Sequence, residues 1–345
     1  MERGRAGIGT GRRERQRAVV SPLHHSGLIM LNATGKEMSD AQLVAELKQI
    51  AGLKCRVAEP LARYTSMKIG GPADYFIELE NRDALTSVLR LLRRHDTPIC
   101  LLGNGSNALI SDQGVRGAVL HLTAEFRKSV WRESGDVVRV SVGAACPVSP
   151  LVREAVRRGY TGLEFAEGIP GSVGGALVMN AGAYGSEFEA IIEQVEAVNG
   201  AGEPIAISRE QLTFTYRDAH LPQGTVVTQV TLRLRKGESA EVNARLRELV
   251  GKRKSSQPAG FPNSGSMFRN PAGDYAGRLI EAAGLKGKRV GQAQIAEGHA
   301  NFIVNRGGAR AQEVRQLMEL ARAEVRRQFG VELVAEVKFL GEWTD

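Results

Sequence analysis

The sequence predicts a protein of mixed helices and strands with more than one domain, and three observations bear on this prediction. Segments with strand-like alternation are interspersed with amphipathic helical segments over 345 residues, which is long enough for more than one domain. Glycine is abundant, at 40 residues, and residues 162–185 alone hold seven. The pattern changes at residue 238, after which long helical segments dominate. We therefore predict a domain boundary near residue 237.

In the first part of the chain, apolar residues recur every three or four positions where we predict helices, and Gly159 ends the third. The predicted helices cover residues 39–50, 83–94 and 148–158. Alternating or short apolar runs predict strands near residues 56, 195 and 205, and over 75–80, 98–102, 115–122, 137–142 and 225–234. Ser208 and Gln211 have the spacing of a capping box.

The same criteria apply after residue 237. They predict helices over 239–253, 275–283 and 312–329, and strands over 301–305 and 333–340. Residues 257–270 are rich in turn-forming residues, so we predict a loop there. The final strand is expected to return to an earlier sheet. We predict four segments: an arm over 1–38, a first region over 39–237 that divides into two subdomains near 72–100, a second region over 238–330, and the returning strand over 331–345.

The net charge of +8 is weak evidence for nucleic-acid binding and fits a site for an anionic small molecule at least as well. Residues 1–30 hold six Arg and two Glu, so a charge of +4 lies in this arm. We interpret residues 1–38 as a disordered arm, most simply an extension that precedes Met30 or Met38, with a transit peptide or nucleic-acid-binding tail as the alternative. The arm lacks the apolar stretch of a secretory signal, and no apolar run reaches the length of a membrane span.

Cys55, Cys100 and Cys146 are widely spaced, which argues against a disulfide framework and favours a reducing cytoplasm. The six histidines do not cluster with cysteines or carboxylates at ligand spacing, so we predict no metal site.

Two glycine-rich loops are candidates for a phosphate site. Residues 162–185 contain no Lys or Arg, so main-chain N–H groups are the expected donors, and residues 170–176 have the pattern of a turn that opens a short helix. The alternative is a buried helix whose glycines admit a neighbouring backbone. Residues 103–108 match G-x-G-x-x-A after a strand, but the long helix of a dinucleotide-binding βαβ unit does not follow. A strand–loop–strand that holds a pyrophosphate and an ordinary hairpin both remain open.

Three side chains further along the chain are candidates for chemistry, each with a structural alternative. Ser266 sits in a predicted turn, where it suits a desolvated site or merely caps the turn. Arg217 suits bidentate binding of a carboxylate or phosphate, or a surface pair with Asp218. Glu336 lies between apolar residues, either in a site or on a solvent-facing strand edge.

Taken together, these motifs resemble the UDP-N-acetylenolpyruvoylglucosamine reductases over roughly residues 39–345. The resemblance rests on YTSMKIGGPADYF, LLGNGSNALISDQGVRG, GLEFAEGIPGSVGGALVMNAGAYG, FTYRDA, RKSSQP, NSGSMFRNP, AGLKGKRVGQAQIAEGHANFIVN and ELVAEVKFLG, in this order. It implies a vanillyl-alcohol-oxidase (PCMH) type FAD-binding fold of two α+β subdomains, with a smaller α+β domain for the UDP-sugar. The 49 positions between Arg217 and Ser266 resemble the compact type of the family, which lacks an extra tyrosine-bearing loop.

The resemblance implies a soluble, monomeric, cytoplasmic enzyme that uses non-covalent FAD and NADPH to reduce enolpyruvyl UDP-N-acetylglucosamine in peptidoglycan precursor synthesis, hence in cell-wall formation, cell shape and cell division. It places the catalytic roles on Arg217, Ser266 and Glu336. The implied FAD-binding residues are Gly103, Asn104, Gly105, Ser106, Asn107, Ile169, Pro170, Gly171, Ser172, Gly174, Gly175, Asn180, Ala181 and Gly182. The implied substrate-binding residues are Lys254, Asn270, Lys286 and Lys338.

Two positions depart from the family pattern. Lys338 stands where many members have Arg, and His299 stands where some have Gln. Two alternatives remain open: another flavin oxidoreductase of this fold, and a non-catalytic protein that binds a nucleotide or nucleic acid.

Overall fold

The computed structural model describes residues 40–256, 258 and 260–343, without the side chains of residues 254–256. The predicted arm over residues 1–38 lies outside this range. The helices are α1 (Asp40–Leu47), α2 (Arg82–Arg94), α3 (Val148–Arg157), α4 (Val173–Val178), α5 (Ser239–Ser256), α6 (Ala276–Ala282) and α7 (Ala311–Phe329).

Strands account for most of the remaining regular structure. They are β1 (Leu53–Pro60), β2 (Pro72–Leu79), β3 (Ile99–Leu101), β4 (Ala108–Ile110), β5 (Val115–Leu122), β6 (Ser129–Ser134), β7 (Val137–Gly143), β8 (Tyr160–Thr161), β9 (Gly182–Ala183), β10 (Ser186–Glu187), β11 (Ile192–Val198), β12 (Pro204–Ser208), β13 (Val226–Lys236), β14 (Asn263–Ser266), β15 (Arg289–Val290), β16 (Ala293–Ile295), β17 (Phe302–Asn305) and β18 (Lys338–Leu340).

The first sheet has the strand order β1-β2-β5-β3, with antiparallel pairing of β1 on β2 and parallel pairing of the others. Helix α2 begins where Asn81 Oδ1 accepts a hydrogen bond from Ala84 N at 2.8 Å, an N-cap that satisfies one of the free amides of the first turn. Its apolar face is buried in the core: Leu85, Val88, Leu89 and Leu92. The predicted amphipathic helix over 83–94 is therefore confirmed.

The second sheet has the order β12-β11-β13-β7-β6, and β8 pairs with β13. Helix α3 buries Leu151, Val152 and Ala155 in the same apolar core that contains α2, so the first two sheets share one core. Strand β6 was not predicted, because most of its residues are exposed and it has no buried apolar face.

The third sheet, β14-β17-β16-β15, lies in the C-terminal part of the chain. Helix α7 buries Leu317, Met318, Ala321 and Val325 in a second core. It ends at Gly330, whose φ of 69° is the left-handed conformation that terminates helices. The 3.6-residue spacing predicted this helix within one residue at its start.

Two predictions near the catalytic candidates were wrong in detail. Residues 263–266, predicted as a loop, form strand β14, because pairing with β17 orders a segment of low intrinsic strand propensity. The strand predicted over 333–340 is confined to β18 (Lys338–Leu340), which pairs in parallel with β4. Residues before it make a single bridge, Phe268 to Ala335, in place of a regular ladder.

Candidate active site

The first glycine loop, residues 103–107, joins β3 of the first sheet to β4, which pairs with β18. Its N–H groups donate to no acceptor among the residues that the structure describes. Gly105 has a φ of 57°, and a Cβ there would lie 2.4 Å from the carbonyl oxygen of Tyr64, so the loop packs directly against another backbone. The unused N–H groups of residues 103–107 are hydrogen-bond donors of the kind that bind anions.

The second glycine loop, residues 169–175, uses most of its donors within the protein. Val173 N donates to Cys146 O at 2.9 Å and Gly174 N donates to Ala144 O at 2.8 Å. Gly175 N donates to the capping hydroxyl of Ser172 at 3.4 Å. A Cβ on Gly174 would lie 2.8 Å from Ala144 Cβ, so glycine is needed there for close packing. The N–H groups of Gly171 and Ser172 donate to no described residue.

The two loops meet. Ser106 Oγ of the first donates to Pro170 O of the second at 3.1 Å. A Cβ on Gly103 would lie 3.0 Å from Ser172 Oγ, and one on Gly171 would lie 2.7 Å from Ser106 Oγ. Free amides from both loops therefore border one space that a side chain at 103 or 171 would fill. This arrangement fits a diphosphate held by the main chain.

Asn180 is completely buried and its side chain is used within the protein. Its Nδ2 donates to Glu187 Oε2 at 2.7 Å and to Thr215 O at 3.3 Å, and its Oδ1 accepts from Glu189 N at 3.1 Å. Asn180 thus holds the turn that leads to Arg217. Ala181 and Gly182 follow it, and both are half-buried.

Arg217 occupies a tight turn, in which Thr215 and Asp218 exchange backbone hydrogen bonds of 2.9 and 3.1 Å. Its φ is 63°, an uncommon left-handed conformation for a residue with a side chain. The guanidinium carbon lies 4.8 Å from the centroid of the Tyr216 ring. Arg217 Nε donates to Glu336 Oε1 at 2.8 Å, and both side chains are less than one-fifth exposed. The Arg217–Asp218 surface pair considered from sequence is thus replaced by a half-buried pair with Glu336.

Ser266 ends strand β14 and pairs with Phe302 of β17. The next residue, Met267, accepts a hydrogen bond at its carbonyl oxygen from Glu336 N at 2.8 Å. The three catalytic candidates are therefore brought together: Arg217 contacts the carboxylate of Glu336, and Ser266 is one residue from a direct backbone bond to Glu336.

Asn301 was not predicted from sequence and supports the strand that carries Ser266. It is 3% exposed, its Oδ1 accepts from Phe268 N at 3.0 Å, and its Nδ2 donates to Phe268 O at 2.8 Å. A buried asparagine that pairs with both backbone polar groups of one residue fixes the chain just after strand β14. A polar residue within the apolar run of strand 301–305 was the available signal.

The four predicted substrate-binding residues do not form one cluster of contacts among the described residues, and each has a different setting. The side chain of Lys254 lies outside the described residues. Lys286 forms an ion pair with Glu281 at 2.6 Å, and Asn270 Oδ1 caps helix α6 by accepting from Ala276 N at 3.1 Å. The backbone N–H of Lys338 donates to Asn107 O at 3.0 Å, which places Lys338 beside the first glycine loop.

Burial lowers the pKa of two further basic side chains, those of His299 and Arg253. His299 Nδ1 accepts from Asn301 N at 3.2 Å, and burial lowers the pKa of this histidine below its ordinary value. Burial also lowers the pKa of Arg253, whose Nη1 donates to Glu167 O at 3.3 Å beside the second glycine loop. The partial burial of Arg253 shows that α5 packs against the loop.

In the part of the chain that the structure describes, no group of three or more His, Cys, Asp or Glu is placed to bind a metal ion. Over the same residues, no helix combines the length and the apolar character needed to cross a bilayer.

Comparisons with known proteins agree with this geometry. Residues 73–208 match the family model of an FAD binding domain, and residues 257–340 match that of the C-terminal domain of UDP-N-acetylenolpyruvoylglucosamine reductase. The predicted fold class, an FAD-binding α+β fold with a separate C-terminal domain, is confirmed. The exact domain boundaries stay a prediction.

Individual relatives cover most of the chain. UDP-N-acetylenolpyruvoylglucosamine reductase 2 of Symbiobacterium thermophilum is 48% identical over 290 residues, 84% of this chain and 92% of that protein. The reductase of Heliobacterium modesticaldum is 43% identical over 286 residues, 82% of this chain and 90% of that protein. The crystal structure of the Thermus caldophilus reductase has a TM-score of 0.71 at 38% identity and covers 84% of this chain and 98% of that one. This chain belongs to the UDP-N-acetylenolpyruvoylglucosamine reductase family.

Proposed function

We propose that this protein reduces enolpyruvyl UDP-N-acetylglucosamine to UDP-N-acetylmuramate, a step of peptidoglycan precursor synthesis. The proposal rests on the proximity of the two glycine loops to the Arg217–Glu336 pair. The cradle formed by the two glycine loops borders β4 and β18, and the Arg217–Glu336 pair lies immediately beside β18. The proposed diphosphate site and the Arg217–Glu336 pair, which we propose stabilises charge, are thus adjacent.

When bound, FAD would supply the hydride-transfer chemistry between NADPH and the methylene carbon of the enolpyruvyl group. The residues present fit this cofactor. The free N–H groups of residues 103–107, with those of Gly171 and Ser172, would hold its diphosphate without cationic side chains. Because these motifs contain no histidine, FAD would be bound non-covalently.

After hydride addition, negative charge develops on the remaining alkene carbon and its carboxylate. Arg217 would stabilise this charge, because its hydrogen bond to Glu336 uses only Nε and its other nitrogens donate to no described residue. Glu336 would hold the guanidinium in place. Ser266 would donate its hydroxyl proton to the alkene carbon and regain a proton from solvent, completing a net addition of H⁻ and H⁺.

Substrate binding would fall to the C-terminal part of the chain. Lys254, Asn270, Lys286 and Lys338 are proposed to contact the UDP-sugar. The ion pair of Lys286 with Glu281 is exposed enough to exchange for a phosphate, because surface pairs of this kind contribute little stability. We further propose that the enzyme acts as a monomer in the cytoplasm.

The test separates the two halves of the reaction. Ser266→Ala is expected to slow oxidation of the reduced enzyme by the substrate by about a hundredfold or more, because it removes the hydroxyl proposed to donate the proton. Reduction by NADPH should change by less than about twofold, because this step needs no proton from Ser266. Stopped-flow absorbance of the flavin measures both rates.

Ser134→Ala serves as a matched control, since Ser134 is an exposed serine of β6 outside the site. Equal slowing of both halves in Ser266→Ala would contradict the role of Ser266. A purified wild-type protein that binds FAD but does not transfer hydride to the enolpyruvyl UDP-sugar would contradict the proposed function itself.

A further inference from the structure

Asn107 is the last residue of the first glycine loop, and its side chain is hydrogen-bonded within the protein. Its Nδ2 donates to the backbone carbonyl oxygen of Glu336 at 3.2 Å and lies 3.6 Å from the sulfur of Met179. Its own carbonyl oxygen accepts from Lys338 N at 3.0 Å. Asn107 thus bonds to the residue at 336 and to the one at 338.

The peptide groups of Glu336 are held from two sides. Its N–H donates to Met267 O, next to Ser266, and its carbonyl oxygen accepts from Asn107. Since Arg217 contacts the carboxylate, three separate parts of the chain fix one residue. No regular strand does so, because β18 begins only at Lys338. Without the Asn107 side chain, the carbonyl oxygen of Glu336 would lose its hydrogen bond from Nδ2.

We infer that Asn107 is a positioning residue for Glu336, and that it links the loop proposed to bind the FAD diphosphate to the carboxylate proposed to hold Arg217. This inference rests on the proposed function. The N–H of Asn107 donates to no described residue, so the backbone remains available to the diphosphate while the side chain serves Glu336. Asn107 thereby fixes the distance between the first glycine loop and the Arg217–Glu336 pair.

Asn107→Ala is expected to slow oxidation of the reduced enzyme by the enolpyruvyl UDP-sugar by about tenfold, the scale of one lost hydrogen bond in a site. Reduction by NADPH and the dissociation constant of FAD should each change by less than about threefold, since the loop keeps its backbone donors. Stopped-flow absorbance gives the two rates, and quenching of flavin fluorescence on titration of the apoprotein gives the FAD affinity.

Asn243→Ala is the matched control. Asn243 Nδ2 also donates to a backbone carbonyl, that of Ser239 at 2.7 Å, but on helix α5 outside the site. Both of its half-reaction rates should equal those of the wild type. Asn107→Asp keeps the shape of the side chain but places an acceptor against the carbonyl of Glu336, so it should be at least as slow as Asn107→Ala. It also provides the test if the alanine variant folds poorly.

Coupling to Glu336 distinguishes positioning from a general structural role. In a Glu336→Gln background, Asn107→Ala should slow oxidation of the reduced enzyme by a markedly smaller factor than in the wild type, because the group that Asn107 positions is already altered. Fully multiplicative effects would overturn the inference, as would equal slowing of both halves, loss of FAD binding alone, or wild-type rates in Asn107→Ala. A wild type that is not oxidised by the substrate contradicts the proposed function instead, whatever the variants do.

Discussion

The two glycine loops look alike in sequence and differ in structure. In the first, residues 103–107, the backbone donors are unused within the described protein. In the second, residues 169–175, three successive amides from Val173 to Gly175 are bonded internally, and Gly174 packs on Ala144. Glycine is thus required at Gly174 for the close approach of two parts of the chain, and in the first loop we propose that it gives a ligand access to the backbone. Of the two interpretations of residues 162–185 made from sequence, close packing applies at Gly174, and the phosphate site stays a prediction that rests on the free N–H groups of Gly171 and Ser172.

The largest effect is expected for Gly174→Val. A branched side chain would collide with Ala144, and overpacking of this kind costs about 1–3 kcal/mol of folding free energy. We expect the thermal unfolding midpoint of the apoprotein to fall by several degrees, with FAD retention lost as a consequence. Differential scanning calorimetry without FAD measures this directly. A Gly174→Val apoprotein as stable as the wild type would show that Gly174 serves ligand access. The proposed contrast between a ligand-binding first loop and a close-packed second loop would then be wrong.

Gly103→Ala is expected to weaken FAD binding without destabilising the apoprotein, and its effect should be smaller than that of Gly174→Val. Gly103 is exposed, and the nearest atom to an added Cβ is Ser172 Oγ at 3.0 Å, so the protein itself can accept the methyl group with a small shift. The methyl group would enter the space between the loops and raise the dissociation constant of FAD by about tenfold, through steric exclusion of the diphosphate from its donors. The unfolding midpoint of the apoprotein should stay near the wild-type value. Unchanged FAD affinity would place the diphosphate elsewhere.

Ser106→Ala should have the smallest effect. It removes the hydrogen bond from Ser106 Oγ to Pro170 O that joins the loops, an exposed contact whose net value is about 0.5–1.5 kcal/mol. We expect a severalfold weaker FAD affinity and little change in the stability of the apoprotein. Titration with FAD and calorimetry provide the two values. A loss of stability as large as that of Gly174→Val would mean that the first loop, too, is mainly a packing element.

Sequence reasoning was most accurate where local spacing reports burial. The helix over 312–329 and the strand over 115–122 were placed almost to the residue, since their apolar faces pack on a core. It was least accurate around Ser266 and Glu336. There, the strand β14 and the irregular segment before β18 are ordered by bonds between residues far apart in the chain, such as Glu336 N to Met267 O. Asn301 and the side-chain role of Asn107 were missed for the same reason.

The amino-acid sequence by itself determined the order and type of most elements, the fold class, and the residues that carry the family motifs, because hydrophobic periodicity and motif spacing are local properties of the chain. Only the tertiary structure decided which glycine amides remain free, that Arg217 pairs with Glu336 across 119 positions, and that Asn107 holds the backbone of Glu336. The physical reason is that a hydrogen-bond donor or a charge takes its role from its partner, and the folded chain supplies that partner from a distant segment.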